Sequence, residues 1–177
     1  ILNKLKVSAQ NLNDAKDFNT YSVNNSQTSA FTAVANSTAR AGTNSITVSQ
    51  IAKEQRSISG GFNNSNDSVN DGSAFTLSFA IGASNPATQT VQVTDTSVEG
   101  TAAAINAANL GIRAEIINTG AASGNYQIQL VGETGAEKAF TVSSSDNSLN
   151  FTSLQSATDA NLNVNGVDFT RGSNSIN

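Results

Sequence analysis

Carboxylates are the side chains of this sequence that could carry acid–base chemistry, because the chain contains no His and no Cys. Glu133 and Glu137 flank a glycine-containing turn, and Asp159 and Asp168 straddle the predicted C-terminal hairpin. Two carboxylates can act as general acid and general base when a pocket holds them together. No sequence pattern puts either pair in a pocket, so we expect solvated carboxylates, no catalytic residue, no cofactor and no enzyme.

Other kinds of chemical site have still weaker support. Without His or Cys the usual zinc sites, a thiol nucleophile and a Ser-His-Asp triad are excluded. The acidic loop at 66–72 invites a calcium interpretation, but the third position counted from Asp67 is Val69, which offers no side-chain oxygen. Nine Lys and Arg against 13 Asp and Glu supply no basic surface for nucleic acid. No apolar run approaches the roughly 20 residues of a membrane-spanning helix.

The composition points to small, thin-cored β domains. Hydrophobic residues make up 37% and charged residues 12% of the 177 residues, where roughly 45–50% and 25% are typical. Asn, Ser and Thr, at 24, 24 and 18 residues, supply 66 of the 177. The chain therefore has little apolar surface to bury and many neutral hydrogen-bonding side chains.

The first twenty residues have a helical pattern. Apolar or small residues follow a 4-3-4-3 spacing at Ile1, Leu5, Ser8, Leu12 and Ala15, which is a short heptad stripe. Two interpretations stay open: an amphipathic helix that packs on its own domain, or the stub of a longer helix that packs against other helices. In the second case Ile1, Leu5 and Leu12 are the candidate interface residues.

After residue 20 the hydrophobic period changes from that of a helix to that of strands. Alternation predicts strands at 31–35, 45–49, 75–81, 91–93, 112–116, 126–130, 140–142, 162–164 and 167–169. The stretch 50–58 fits either a strand or a helical turn. One internal helix is predicted to begin at a Thr96–Glu99 capping box and to end at Gly111. Asn165-Gly166 predicts a type I′ hairpin turn.

These elements predict an α+β, mainly β, fold of short antiparallel strands in two small domains. The segment 59–73 is almost pure turn and linker chemistry, and we place a domain boundary there. The expected domains are a helix stub at 1–20, a discontinuous domain of 21–59 plus 157–177, and an inserted domain at 60–156.

Three segments carry a family resemblance. They are 41–55, with Ile46, Val48, Gln50, Ala52 and Gln55; 98–118, with Ile105-Asn106; and 159–176, with Asn165-Gly166. In this order, and with the leading helix, they resemble the bacterial flagellar filament-capping family, also called hook-associated protein 2. The Ile-Asn segment alone is less specific, because other flagellin-related proteins carry it.

The resemblance implies a structural role. Members of that family are exported through the flagellar apparatus, form a homo-oligomeric ring on the extracellular filament tip, guide flagellin polymerisation and prevent its loss. In some bacteria they also contribute to adhesion to mucus, so host glycans are a further possible partner. Two rivals stay open: an extracellular adhesion or glycan-binding module, expected to show exposed aromatic residues or a calcium site, and the variable outer domain of a flagellin.

Overall fold

The computed structural model describes residues 3–4, 6–7, 21–36, 38–146 and 148–176. It divides into two compact units, Ile1–Ser45 and Ile46–Asn177, and each is treated by itself. The described residues among the first twenty, 3–4 and 6–7, are helical. The candidate interface residues Ile1, Leu5 and Leu12 lie outside the described residues.

The strand predicted at 31–35 is wrong. In the first unit the described residues from 21 onward form turns and irregular backbone, with the Ala30 N–H donating to the Gln27 carbonyl at 2.9 Å. Val34 is 97% exposed. A strand needs a neighbour for its backbone groups and a face to bury, and the alanines at 33 and 35 give this segment little to bury.

The second unit is mainly β, as predicted. In chain order its elements are β1 (Ile46–Gln50), β2 (Glu54–Ser59), β3 (Phe75–Ile81), β4 (Ala87–Val93), α1 (Val98–Ala107), β5 (Arg113–Asn118), β6 (Tyr126–Thr134), a 3₁₀ turn (Ala136–Lys138), β7 (Phe140–Ser144), β8 (Phe151–Gln155), β9 (Ala160–Val164) and β10 (Val167–Arg171). The strands form three antiparallel sheets, with the orders β1-β9-β10, β5-β6-β2-β8 and β4-β3-β7.

The hydrophobic core joins α1 to the two sheets built from β2 to β8. The cleanest alternation in the sequence, Phe75, Leu77 and Phe79, turns inward from β3, and all three side chains are at most 3% exposed. Ile105 of α1 and Leu130 of β6 are fully buried in the same cluster. Burying each such side chain contributes about 1.5–3 kcal/mol, so this small cluster supplies most of the hydrophobic stabilisation.

Helix α1 forms where it is predicted, but both of its ends differ from the prediction. The N-cap is Ser97, which has an extended backbone and accepts a hydrogen bond from the Gly100 N–H at 2.9 Å, so the Thr96–Glu99 capping box is wrong. The first residue that turns left-handed after the helix is Asn109, at φ +50°, and the predicted Gly111 follows two residues later at φ +73°. A Cβ at Gly100 would lie 2.5 Å or less from Asp95, which explains a glycine in the first turn.

Local signals succeeded at the last hairpin and failed where pairing is distant. Asn165 and Gly166 take φ of +52° and +88° between β9 and β10, which confirms the predicted turn. The ambiguous stretch 50–58 contains β2, whose neighbours are β6 and β8. Strand β8 was not predicted, because its segment has no clean alternation.

Within the described residues, no helix combines the length and apolarity needed to cross a membrane.

Candidate functional site

Two of the segments that carry the resemblance meet where the chain crosses between the β1-β9-β10 and β5-β6-β2-β8 sheets. The chain leaves the first sheet through 51–53 and returns through 156–159. Lys53 and Thr158 pair the two crossing segments, with N–H to carbonyl distances of 2.9 and 3.0 Å. We call this region, including the adjacent 134–140 and 172–174 segments, the junction.

Side-chain amides make the principal connections at the junction. The Asn174 amide accepts from the Ala52 N–H at 2.7 Å and donates to the Ala52 carbonyl at 2.9 Å. The Gln55 amide likewise accepts from the Phe140 N–H at 3.0 Å and donates to the Phe140 carbonyl at 2.7 Å. Two bonds to one residue's backbone reproduce what a neighbouring strand provides in a hydrogen-bonded antiparallel pair, and we call this arrangement an amide bridge.

A third amide bridge lies in the core-forming part of the second unit. The Asn106 side chain accepts from the Ala114 N–H at 2.8 Å and donates to the Ala114 carbonyl at 2.9 Å. Its chain neighbour Ile105 is fully buried. The Ile-Asn pair therefore fastens α1 to β5 twice, once by burial and once by hydrogen bonds.

Asp159 and two glycines close the junction. One Asp159 carboxylate oxygen accepts from the Ala136 N–H at 2.7 Å, and the Asp159 carbonyl accepts from the Gln50 amide at 2.7 Å. Gly135 has φ +106°, and a Cβ there would lie 2.7 Å from the Gly172 carbonyl oxygen. A glycine is needed at 135 on both counts, so the two segments approach with backbone against backbone.

A charged groove of about 900 Å³ lies beside the junction. It is lined by Arg56, Arg113 and Lys138 together with Glu54, Glu133, Glu137 and Asp159. Arg56 pairs with Glu54 at 2.6 Å, and Lys138 pairs with Glu133 at 2.7 Å. Pairs this exposed contribute about 0–1 kcal/mol, so they add little to the stability of the fold.

The structure brings three of the four carboxylates singled out in the sequence to this groove and gives each a separate partner. Glu133 holds Lys138, and Glu137 accepts from the Ser84 hydroxyl at 2.6 Å. Asp168 lies apart on β10, where it accepts from the Asn163 amide at 2.7 Å.

The titration of the groove carboxyls follows from their hydrogen bonds. The pKa of Glu54 is lowered, first by a hydrogen bond from the backbone N–H of Glu54 itself and then by one from the Arg56 side chain. The hydroxyl and then the backbone of Ser84 lower the pKa of Glu137. A general acid at neutral pH needs a raised pKa, so both groups are tuned in the opposite direction.

The acidic loop at 66–72 is organised as a turn. The Asp67 carboxylate accepts from the backbone N–H groups of Asn63 and Asn64, both at 2.9 Å, and from the Asn64 amide at 3.0 Å. Hydrogen bonds from Asn64, chiefly from its side-chain amide and then from its backbone N–H, lower the pKa of Asp67. In the described part of the chain no three acidic side chains come together as metal ligands would.

Sequence reasoning gave no role to the amides that build the junction. Gln55 and Asn174 lie inside the segments that carry the resemblance, and Gln155, whose amide donates to the Glu54 carbonyl at 2.7 Å, lies outside them. Each partner is 85 to 122 residues away in the chain, so no local pattern could identify the bonds.

Removing one amide bridge should weaken the fold measurably. Gln55→Ala leaves the N–H and carbonyl of Phe140, a 4% exposed residue, without these partners. We expect the free energy of unfolding in urea to fall by about 2–3 kcal/mol. The matched control is Gln89→Ala at an exposed position near the start of β4, for which we expect a change within about 0.5 kcal/mol. Equal effects of the two substitutions would contradict this role of Gln55.

A family model and several solved structures are similar to this chain. A family model described as the flagellar hook-associated protein 2 N-terminus matches residues 1–55. No curated protein matches the chain.

Solved structures extend the likeness to more than three quarters of the chain. The D2-D3 domains of the flagellar cap protein FliD from Escherichia coli are similar with a TM-score of 0.69 and 27% identity, over 78% of each chain. The longer D1-D2-D3 structure from the same organism gives a TM-score of 0.69 and 25% identity, over 78% of this chain. This chain spans 45% of that longer structure. The D2-D3 domains from Serratia marcescens, at 21% identity and a TM-score of 0.68 over 80% of this chain and 83% of that one, share the fold.

The motif segments, the family model at residues 1–55 and the solved structures agree, and the chain is similar to the flagellar hook-associated protein 2 family.

Proposed function

We propose that this protein is a structural cap at the distal end of the bacterial flagellar filament, where it guides the polymerisation of exported flagellin and prevents its loss. The observation that carries the proposal is the joint match to the family model at 1–55 and to a flagellar cap protein at 27% identity over 78% of both chains. Its place is extracellular, at the filament tip, and its partners are further copies of itself and flagellin. It acts by assembly and is no enzyme.

The surface chemistry of the second unit suits contacts that form and re-form. Its strongly exposed apolar side chains are few and lie on different strands and loops, as for Ile51, Leu154 and Val167. Isolated exposed apolar residues are normal on soluble surfaces. We therefore expect this unit to make polar contacts, and we propose that the heptad stripe predicted from the sequence, with Ile1, Leu5 and Leu12, supplies the tighter packing between copies.

The proposed domain arrangement is a small domain interrupted by an inserted one, as predicted from the linker at 59–73. The strand pairing supports an insertion that begins near Lys53 and ends near Thr158, instead of beginning at 60 and ending at 156. Strand β2 lies between β6 and β8 in one sheet, so cutting after residue 59 separates a central strand from its neighbours. The three-stranded β1-β9-β10 sheet then belongs to the interrupted domain.

Two excised fragments test where the insertion ends. A 54–157 fragment keeps β2 with β6 and β8, and we expect one cooperative thermal transition by circular dichroism. A 60–156 fragment lacks β2 and leaves two strands without the partner between them, so we expect its transition to be broad or absent. Matching cooperative transitions in the two fragments would instead support ends at 60 and 156.

Immunoelectron microscopy of intact flagella tests the function itself. An antibody raised against this chain should label filament tips and leave filament shafts unlabelled, and a strain lacking the protein serves as the control. Label along the shaft would make the chain an outer domain of a flagellin. Absence of flagellar label would instead support the adhesion module.

A further inference from the structure

The turn between β9 and β10 contains a chemically reactive pair of residues. Asn165-Gly166 is the only Asn-Gly pair in the 177-residue sequence. Both residues are exposed, and a Cβ at Gly166 would meet no atom within 4 Å. The turn therefore presents an asparagine amide followed by the least hindered backbone nitrogen that a chain can offer.

Such a pair can deamidate without an enzyme. The Gly166 nitrogen gives its proton to a base in solvent and attacks Cγ of Asn165, forming a C–N bond. The Cγ–Nδ2 bond then breaks, and the side-chain nitrogen takes a proton from solvent and leaves as ammonia. Water then adds to either carbonyl of the resulting succinimide, and one ring C–N bond breaks. The products are Asp or isoaspartate at 165, with no oxidant or reductant involved.

The folded hairpin controls the nucleophile of this reaction. The Gly166 N–H donates to Oδ1 of Asn163 at 2.8 Å, and the Asn163 amide nitrogen donates in turn to Asp168 at 2.7 Å. The proton that must leave Gly166 is thus held in a hydrogen bond, and Asn163 is itself fixed in place. We propose that Asn165 is a deamidation site that Asn163 keeps latent while the hairpin is folded.

Deamidation would alter the hairpin permanently. The two-residue turn sets the pairing of Val164 with Val167 and of Leu162 with Phe169. Isoaspartate lengthens the backbone of that turn by one methylene, and either product adds a carboxylate to a hairpin that already carries Asp168. The fraction of chains deamidated at Asn165 would therefore rise with the total time that the hairpin spends open. The inference is independent of the proposed function.

The test measures the rate of deamidation at Asn165 by peptide mass spectrometry after incubation in mildly alkaline buffer. Asn163→Ala removes the acceptor of the Gly166 proton, and we expect deamidation about tenfold faster than in the unsubstituted protein, the factor that one net hydrogen bond represents. The matched control is Asn161→Ala on the same strand, which removes an amide bonded to Thr170 at 3.1 Å and leaves the turn bonds intact. Its rate should equal that of the unsubstituted protein.

A second arm in concentrated urea separates the hydrogen bond from local sequence chemistry. There the hairpin is open in all three proteins, and we expect equal rates that exceed the folded rate of the unsubstituted protein. Equal acceleration by the Asn163 and Asn161 substitutions would overturn the proposal, because it would report a generally loosened hairpin. Equal folded and unfolded rates of the unsubstituted protein would overturn it as well.

Discussion

The architecture depends on amide side chains that stand in for strand neighbours. Ala52, Phe140 and Ala114 each receive two hydrogen bonds from one side-chain amide, supplied by Asn174, Gln55 and Asn106. Each bond adds only about 0.5–1.5 kcal/mol net, whereas leaving a buried backbone group unpaired costs about 1–3 kcal/mol. A chain with 37% hydrophobic residues can therefore hold its strands, its helix and a crossing segment in place through groups that its composition supplies in excess.

The amide bridges also give a structural role to the segments that carry the family resemblance. Gln50, Ala52 and Gln55 belong to one motif segment and Asp159 and Asn174 to another, and all five make hydrogen bonds at the junction. These segments thus help to fix how the strands of the junction are held together. Neutral amides neither titrate nor carry a net charge, so their hydrogen bonds persist across a wide range of pH and salt.

Local features were predictable, and distant pairings were not. The alternation of Phe75, Leu77 and Phe79 identified β3, and Asn165-Gly166 identified the last turn, because both signals are complete within a few residues. Strand β8 and the neighbours of β2 depend on partners far away in the chain, and the segment at 31–35 alternates without becoming a strand. The same distance hid the junction: the Gln55 and Asn174 bridges span 85 and 122 residues. The resemblance located the residues, and only the structure showed what their side chains do.

Hydrogen exchange of backbone amides, followed residue by residue by NMR, tests the role of the amide bridges most directly. The backbone N–H groups of Ala52, Ala114 and Phe140 donate to side-chain amides. If those amides replace strand neighbours, the three N–H groups will exchange as slowly as the paired N–H groups inside the sheets. Exchange at the rate of exposed loop residues would show that the bridges do not hold the sheets together.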